Sequence, residues 1–200
     1  MDLEKQIELY GGAMVCVVPL CFEDISRFRH VPDNQEIYNH VDSGTSIFVE
    51  LFAHELSVPD DECALFYFRD LANQNHDKYS GQHISSPPRR LPREEYPNIP
   101  VDGENYCRAA FSIAGVQAVS KFTNEGGCEN DVYTCMTVLR FPSPIFTDIL
   151  ITVCAPQRIA QGSSEALAVQ QLISPEVAAE LLSRVVASLA IVDWGLFIRE

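Results

Sequence analysis

"DVYTCMTVLRFPSPIFTDILITVC", residues 131–154, holds two apolar runs separated by Pro142-Ser143-Pro144. Residues 131–141 and 147–154 are rich in β-branched and aromatic side chains, the composition of strands. Consecutive strands joined by a short link pair antiparallel. Four further segments carry the same character: 13–18 (AMVCVV), 35–41 (QEIYNHV), 46–52 (SIFVELF) and 107–122 (CRAAFSIAGVQAVSKF). "NHVDSGTS" (39–46) and "NEGGCEND" (124–131) read as hairpin loops between their neighbours.

Two helices are predicted. "SVPDDECALFYFRDLAN" opens on Pro59 and three acids, and Cys63, Ala64, Tyr67, Phe68 and Leu71 follow at helical spacing. "SPEVAAELLSRVVASLA" has Ser174 as N-cap, Pro175 at the first helical position and Glu176 in the first turn. Its apolar stripe runs Val177, Ala178, Leu181, Leu182, Val185, Val186, Leu189 and should lie on a sheet. A further helical turn starts near Asp24. "SSPPRRLPREEYPNIP" (85–100), with five Pro and three Arg, reads as an extended loop insertion. The order strands, helix, strands, helix gives an α+β class: one domain over 1–200, with an antiparallel sheet of about six strands covered by helices.

Composition narrows the function. The net charge is −14, and residues 1–62 carry −10 of it through 13 acids against 3 bases. Nucleic-acid binding needs a basic footprint and is not expected. A basic protein partner fits, although acidity also serves solubility. No apolar run reaches the ~18 residues of a membrane-spanning helix, so no membrane association is expected. The first residues resemble neither a signal nor a transit peptide. Seven Cys and five His show no CxxC pair or ligand spacing. They read as reduced thiols and ordinary histidines, with no metal or other cofactor.

Catalytic motifs are absent: no GxGxxG, GxxxxGK[ST], GxSxG or HExxH occurs. "YGG" (10–12) lacks the Lys and following helix of a phosphate loop and reads as a turn. A Cys-dependent enzyme is the rival class, since a Cys–His pair meets only in space. "FEDISRFRHVPDNQEIY" (22–38) gathers Glu23, Asp24, Asp33 and Glu36 around Arg27 and Arg29. Turn chemistry makes Asp33 an Asx-type turn residue after Pro32 and puts Glu36 on the solvent face of a strand, sharing that face with Tyr38. An exposed aromatic beside acids also suits an interface. The residues alone leave both readings open.

The same stretch resembles the opening of the Ran guanine-nucleotide release factors, the Mog family. That pattern is carried by Leu9-Tyr10-Gly11-Gly12-Ala13, Pro19, Asp24, Ser26, Arg29, Val31-Pro32-Asp33, Gln35-Glu36, Ile37 and Tyr38. "SIFVELF" continues it, with weaker matches in "FRDL", "LRFPSPIFTDILITV" and "VDWGLF". The segment 85–100 has no counterpart. The resemblance implies an antiparallel sheet flanked on both sides by helices, a sandwich related to the photosystem protein PsbP. It implies binding of the small GTPase Ran, promotion of guanine-nucleotide release and support of nuclear import, without covalent catalysis. A Ran-binding scaffold without release activity is the alternative. Asp33 and Glu36 become the Ran-binding acids, with Asn34, Asp24 and Arg29 as their neighbours. Nuclear and cytoplasmic residence and a monomer are expected.

Overall fold

A computed structural model describes residues 3–120 and 127–197. The strands are β1 (Glu4–Leu9), β2 (Met14–Pro19), β3 (Glu23–Asp24), β4 (Gln35–His40) and β5 (Thr45–Ala53). Helix α1 (Cys63–Gln74) follows, then β6 (Ile84–Arg90), β7 (Ala109–Val119), β8 (Asn130–Phe141) and β9 (Thr147–Arg158). Helix α2 (Pro175–Ser188) and β10 (Ala190–Ile191) follow, and then a 3-10 turn at Trp194–Leu196. Seven strands form one antiparallel sheet in the order β3-β4-β5-β9-β8-β7-β6, and β1-β2-β10 form a second.

The pairing of β8 with β9 runs unbroken from Phe141↔Thr147 to Val132↔Pro156, as the opening stretch predicts. Both strands are buried on both faces because each face carries a layer. On one face Met136, Val138 and Leu150 pack with Ala109, Phe111 and Ile113 under Cys63, Ala64, Tyr67 and Phe68 of α1. On the other, Cys135, Leu139, Ile149, Ile151 and Val153 meet Ala178, Leu181, Leu182, Val185 and Val186 of α2. The small sheet joins this second layer through Leu9, Met14, Cys16 and Val18. The result is an α+β sandwich with helices on opposite faces of the large sheet.

Gly115 shows how tightly α1 is seated. A Cβ there would lie 2.4 Å from the carbonyl oxygen of His83 and 2.8 Å from the Phe68 ring. Only glycine lets β7 pass under both.

One end of the large sheet is tied by a buried charged network. Arg140 and Asp148 are fully buried and paired, Nε to Oδ1 at 3.3 Å. Asp148 also accepts from Tyr67 Oη at 2.8 Å and holds His54 Nδ1 at 2.7 Å. Arg140 reaches Asp60 and the backbone carbonyls of Glu55 and Val58. Each buried charge thereby gains several partners, without which burial would be strongly unfavourable.

Several expectations change. The described residues form ten strands in two sheets, where about six in one sheet are expected. The segment expected as a loop insertion at 85–100 begins inside a strand. β6 is the edge of the large sheet, with register shifts between Ile84 and Ser86 and between Ser86 and Arg89. Pro87 and Pro88 lie within the second shift. Proline lacks a donor, and a bulged edge has no use for one there. Beyond it, Leu91, Tyr96 and Ile99 are buried in the core. Val177, expected in the α2 stripe, is 48% exposed. The first predicted helix begins as a 3-10 turn over Asp60–Glu62 and becomes α-helical at Cys63. Residues 121–122 of the fourth predicted strand and 124–126 of its hairpin loop lie outside the described residues.

Candidate functional site

The chain enters the acidic segment from β3, which pairs Glu23 with Asn39 and Asp24 with Tyr38. Asp24 then caps the 3-10 turn Ile25–Arg27, its Oδ1 accepting from Ser26 N at 2.8 Å. That is the helical turn expected near Asp24. Arg29 follows, exposed, with its backbone N–H donating to Ile25 O at 3.2 Å. A tight turn comes next, closed by Gln35 N donating to Pro32 O at 2.9 Å. Asp33 and Asn34 stand at its exposed tip, and β4 starts immediately afterwards.

The turn is fastened on two sides. Leu51 N donates to Asn34 O at 2.9 Å, and Asn34 Nδ2 donates to Leu51 O at 3.2 Å. From the small sheet, the Tyr10 hydroxyl lies 2.7 Å from Val49 O and 3.0 Å from Asn34 O. Tyr10 N donates to Glu36 Oε1 at 2.7 Å. Tyr10 has φ +51°, followed by Gly11 at +65° and Gly12 at +91°. A left-handed aromatic residue costs of order 1–2 kcal/mol, so it is held here by its surroundings.

Three readings of these residues need correction. Asp33 does not make the turn through its side chain: the closing bond is backbone to backbone, and among the described residues its carboxylate has no hydrogen-bond or ion-pair partner. Glu36 is half-buried rather than on a solvent face. Tyr38, expected to be exposed, is 6% exposed, and its hydroxyl donates to Glu8 O at 3.4 Å. Glu36 and Tyr38 do share a face, as strand alternation requires. The small sheet covers that face.

Electrostatics follow burial. Desolvation pushes the Glu36 carboxyl above the usual carboxylate range; the Tyr10 N–H opposes this and the nearby Asp24 charge adds to it. Glu50, opposite Gln35 across β4 and β5, is raised by burial too, with the Gln35 amide opposing. The structure therefore brings Asp24, Asn34 and Glu36 into one neighbourhood. Asp33 and Arg29 are both exposed.

Two residues escaped the sequence reading. Phe28 is 70% exposed and, with Leu20, Glu23, Asp24 and Arg27, lines a groove of about 550 Å³. Its signal was an aromatic between Arg27 and Arg29 in a polar turn. Tyr10 belonged to a glycine turn whose contacts, with residues more than twenty positions away, are invisible in the sequence. Burial pushes the thiols of Cys16, Cys63 and Cys107 up to about 12, so they stay protonated at neutral pH. Among the described residues, no group of three or more His, Cys, Asp or Glu is placed to hold a metal, and no helix is long and apolar enough to cross a membrane.

The family model described as "Ran-interacting Mog1 protein" matches residues 7–156, which include the whole of this site. The chain belongs to the Ran-interacting Mog1 family. A Danio rerio protein named Ran guanine nucleotide release factor is 33% identical over 190 residues, spanning 94% of this chain and 97% of its own. The solved structure of the Saccharomyces cerevisiae Ran-binding protein Mog1p has the same fold, with TM-score 0.63 and 24% identity over 99% of this chain and all of that one. Cyanobacterial PsbP from Synechocystis superposes with TM-score 0.51 at 5% identity, covering 96% and 94% of the two chains. The Mog1 sandwich of this chain is thus PsbP-like in architecture.

Proposed function

We propose that this Mog1-family chain binds Ran through the acidic face around Pro32–Asn34 and promotes release of its guanine nucleotide, in support of nuclear protein import. The observation that carries the reading is Asp33: an exposed carboxylate with no partner among the described residues, on a turn closed by backbone and fastened to β5. A charge presented in this way loses little conformational entropy on binding. Asn34 stands beside it in the turn, Asp24 lies close enough to Glu36 to raise its carboxyl, and the exposed Phe28 lines the groove that Asp24 also borders. Membership of a Ran-interacting family and a relative named as a release factor support the same partner and activity.

Release requires differential affinity. A small GTPase holds its nucleotide through Mg²⁺, a P-loop Lys and backbone amides. A factor that binds the loaded and loosened states equally shifts nothing. Acids that engage basic side chains of Ran, drawing them away from the closed nucleotide site, favour the loosened state. Each such contact contributes on the order of 1–3 kcal/mol when desolvated. No covalent bond changes on this chain, so the protein is a regulator rather than an enzyme. Its site of action is Ran, in nucleus and cytoplasm.

Affinity capture with Ran in both nucleotide states and stopped-flow release of a fluorescent guanine nucleotide test the proposal together. The wild-type chain captures Ran and accelerates loss of fluorescence. The Asp33→Ala/Glu36→Ala variant, folded by circular dichroism, does neither. Capture without acceleration would make the chain a Ran-binding scaffold. Undiminished capture by the double variant would remove the acidic face from the interface.

A further inference from the structure

We propose that Tyr10 and Glu36 form a brace that sets the position of the Pro32–Asn34 turn, so that both are positioning residues for Ran binding and Asp33 is the acid that makes the contact. The proposal rests on the Ran-binding reading of that turn.

Three observations converge on it. First, the Tyr10 hydroxyl sits between two backbone carbonyls, Val49 O on β5 and Asn34 O on the turn. One phenol proton serves both, so the ring bridges a fixed strand and the segment that carries Asp33. Second, the Glu36 carboxylate is already engaged, Oε1 accepting from Tyr10 N at 2.7 Å. It also lies on the face of β4 that the small sheet covers, whereas Asp33 stands in solvent. Third, Tyr10 holds a left-handed backbone conformation at φ +51°. A bulky side chain keeps such a conformation only where neighbouring contacts over-determine it. The bonds from its N–H and its hydroxyl are those contacts, and both end on residues 34–36 or the strand beside them. The glycines that follow, at φ +65° and +91°, complete a reversal that an L side chain would resist. The "YGG" turn is thus tied to the acidic turn, although twenty-odd residues separate them.

The brace gives Glu36 a role that charge alone does not explain. A Gln at this position keeps a carbonyl oxygen for Tyr10 N but carries no charge. A Glu36 that only brace-binds tolerates that exchange; a Glu36 that meets a cation on Ran does not.

Tyr10→Phe, Asp33→Ala, Glu36→Ala and Glu36→Gln are compared in the full chain. Ran affinity is read by titration and amide hydrogen exchange by NMR without Ran. Tyr10→Phe weakens Ran binding about fivefold, the loss of one net hydrogen bond. In the Asp33→Ala background the same change adds less than about twofold, because the residue it positions is gone. Glu36→Gln recovers most of the affinity that Glu36→Ala loses. In free Tyr10→Phe protein, the Gln35 and Leu51 amides, which report the turn, exchange faster than in wild type, while those of the β8–β9 ladder are unchanged. Equal Tyr10→Phe losses in both backgrounds, or unchanged exchange at Gln35 and Leu51, overturn the brace. Equal losses for Glu36→Gln and Glu36→Ala make Glu36 a direct charge contact and overturn its positioning role. Unchanged Ran binding in Asp33→Ala rejects the Ran-binding reading of the turn instead. The exchange experiment, which needs no Ran, still judges whether the brace exists.

Discussion

Removing the Asp33 carboxylate takes away a charge that already stands in water. Its loss should leave stability within about 0.5 kcal/mol of wild type. Removing the Glu36 carboxylate leaves the Tyr10 N–H without its acceptor in a half-buried site. Urea unfolding of Glu36→Ala should show a loss of about 1–2 kcal/mol. Equal stability of the two variants would contradict the geometry. A third acid gives a pH test. Burial raises the Glu50 carboxyl pKa, so the folded chain holds that proton more tightly than the unfolded chain does. Its contribution to stability therefore falls as pH rises from the ordinary Glu value, about 4.3, through the raised folded value. Glu50→Gln keeps an acceptor for the Gln35 amide and removes the buried charge. Its melting temperature should exceed wild type at pH 7, and the gain should vanish below about pH 4.

At the scale of elements, Gly115 decides how α1 and β6 meet β7. Gly115→Ala forces a methyl onto the His83 carbonyl and the Phe68 ring. Overpacking of this kind costs about 2 kcal/mol or more, and chemical unfolding measures it directly. Each of the six strands predicted from β-branched and aromatic composition, and each of the two helices predicted from spacing, has its counterpart among the described residues, because each is rich in apolar side chains and has turn residues at its ends. The elements that were missed lack one of those marks. β1 escapes the reading because its six residues, EKQIEL, hold only two apolar side chains, Ile7 and Leu9. β3 and β10 have two residues each, too few for any period. β6 contains two prolines, which argue against a strand everywhere except a bulged edge.

Across the whole molecule, charge is the property that acts at a distance. Residues 1–62 carry −10 of the net −14, and the acidic turn projects from that third of the chain. A field of this kind steers a basic partner and is screened once the Debye length falls to about 8 Å at physiological salt. The association rate with Ran should therefore drop about tenfold between roughly 10 and 150 mM salt, while the dissociation rate changes little. Stopped-flow measurement at several ionic strengths checks this, and a flat profile would exclude steering.

The sequence by itself determined the strand segments from their composition, the helix periods, the antiparallel order of β8 and β9, the acidic bias and the motif "RHVPDNQEIY" with its family likeness. These are local patterns, set by side-chain spacing and turn chemistry over a few residues. Only the tertiary structure decided which of the two motif acids is free. Strand alternation put Glu36 and Tyr38 on one face, but which face meets water depends on where the small sheet docks. That docking is set by Leu9, Met14, Cys16 and Val18 burying against α2 and the large sheet, contacts made across long stretches of chain. The same packing brought Tyr10 over β4 and β5, turning a glycine-rich reversal into a support for the acidic turn.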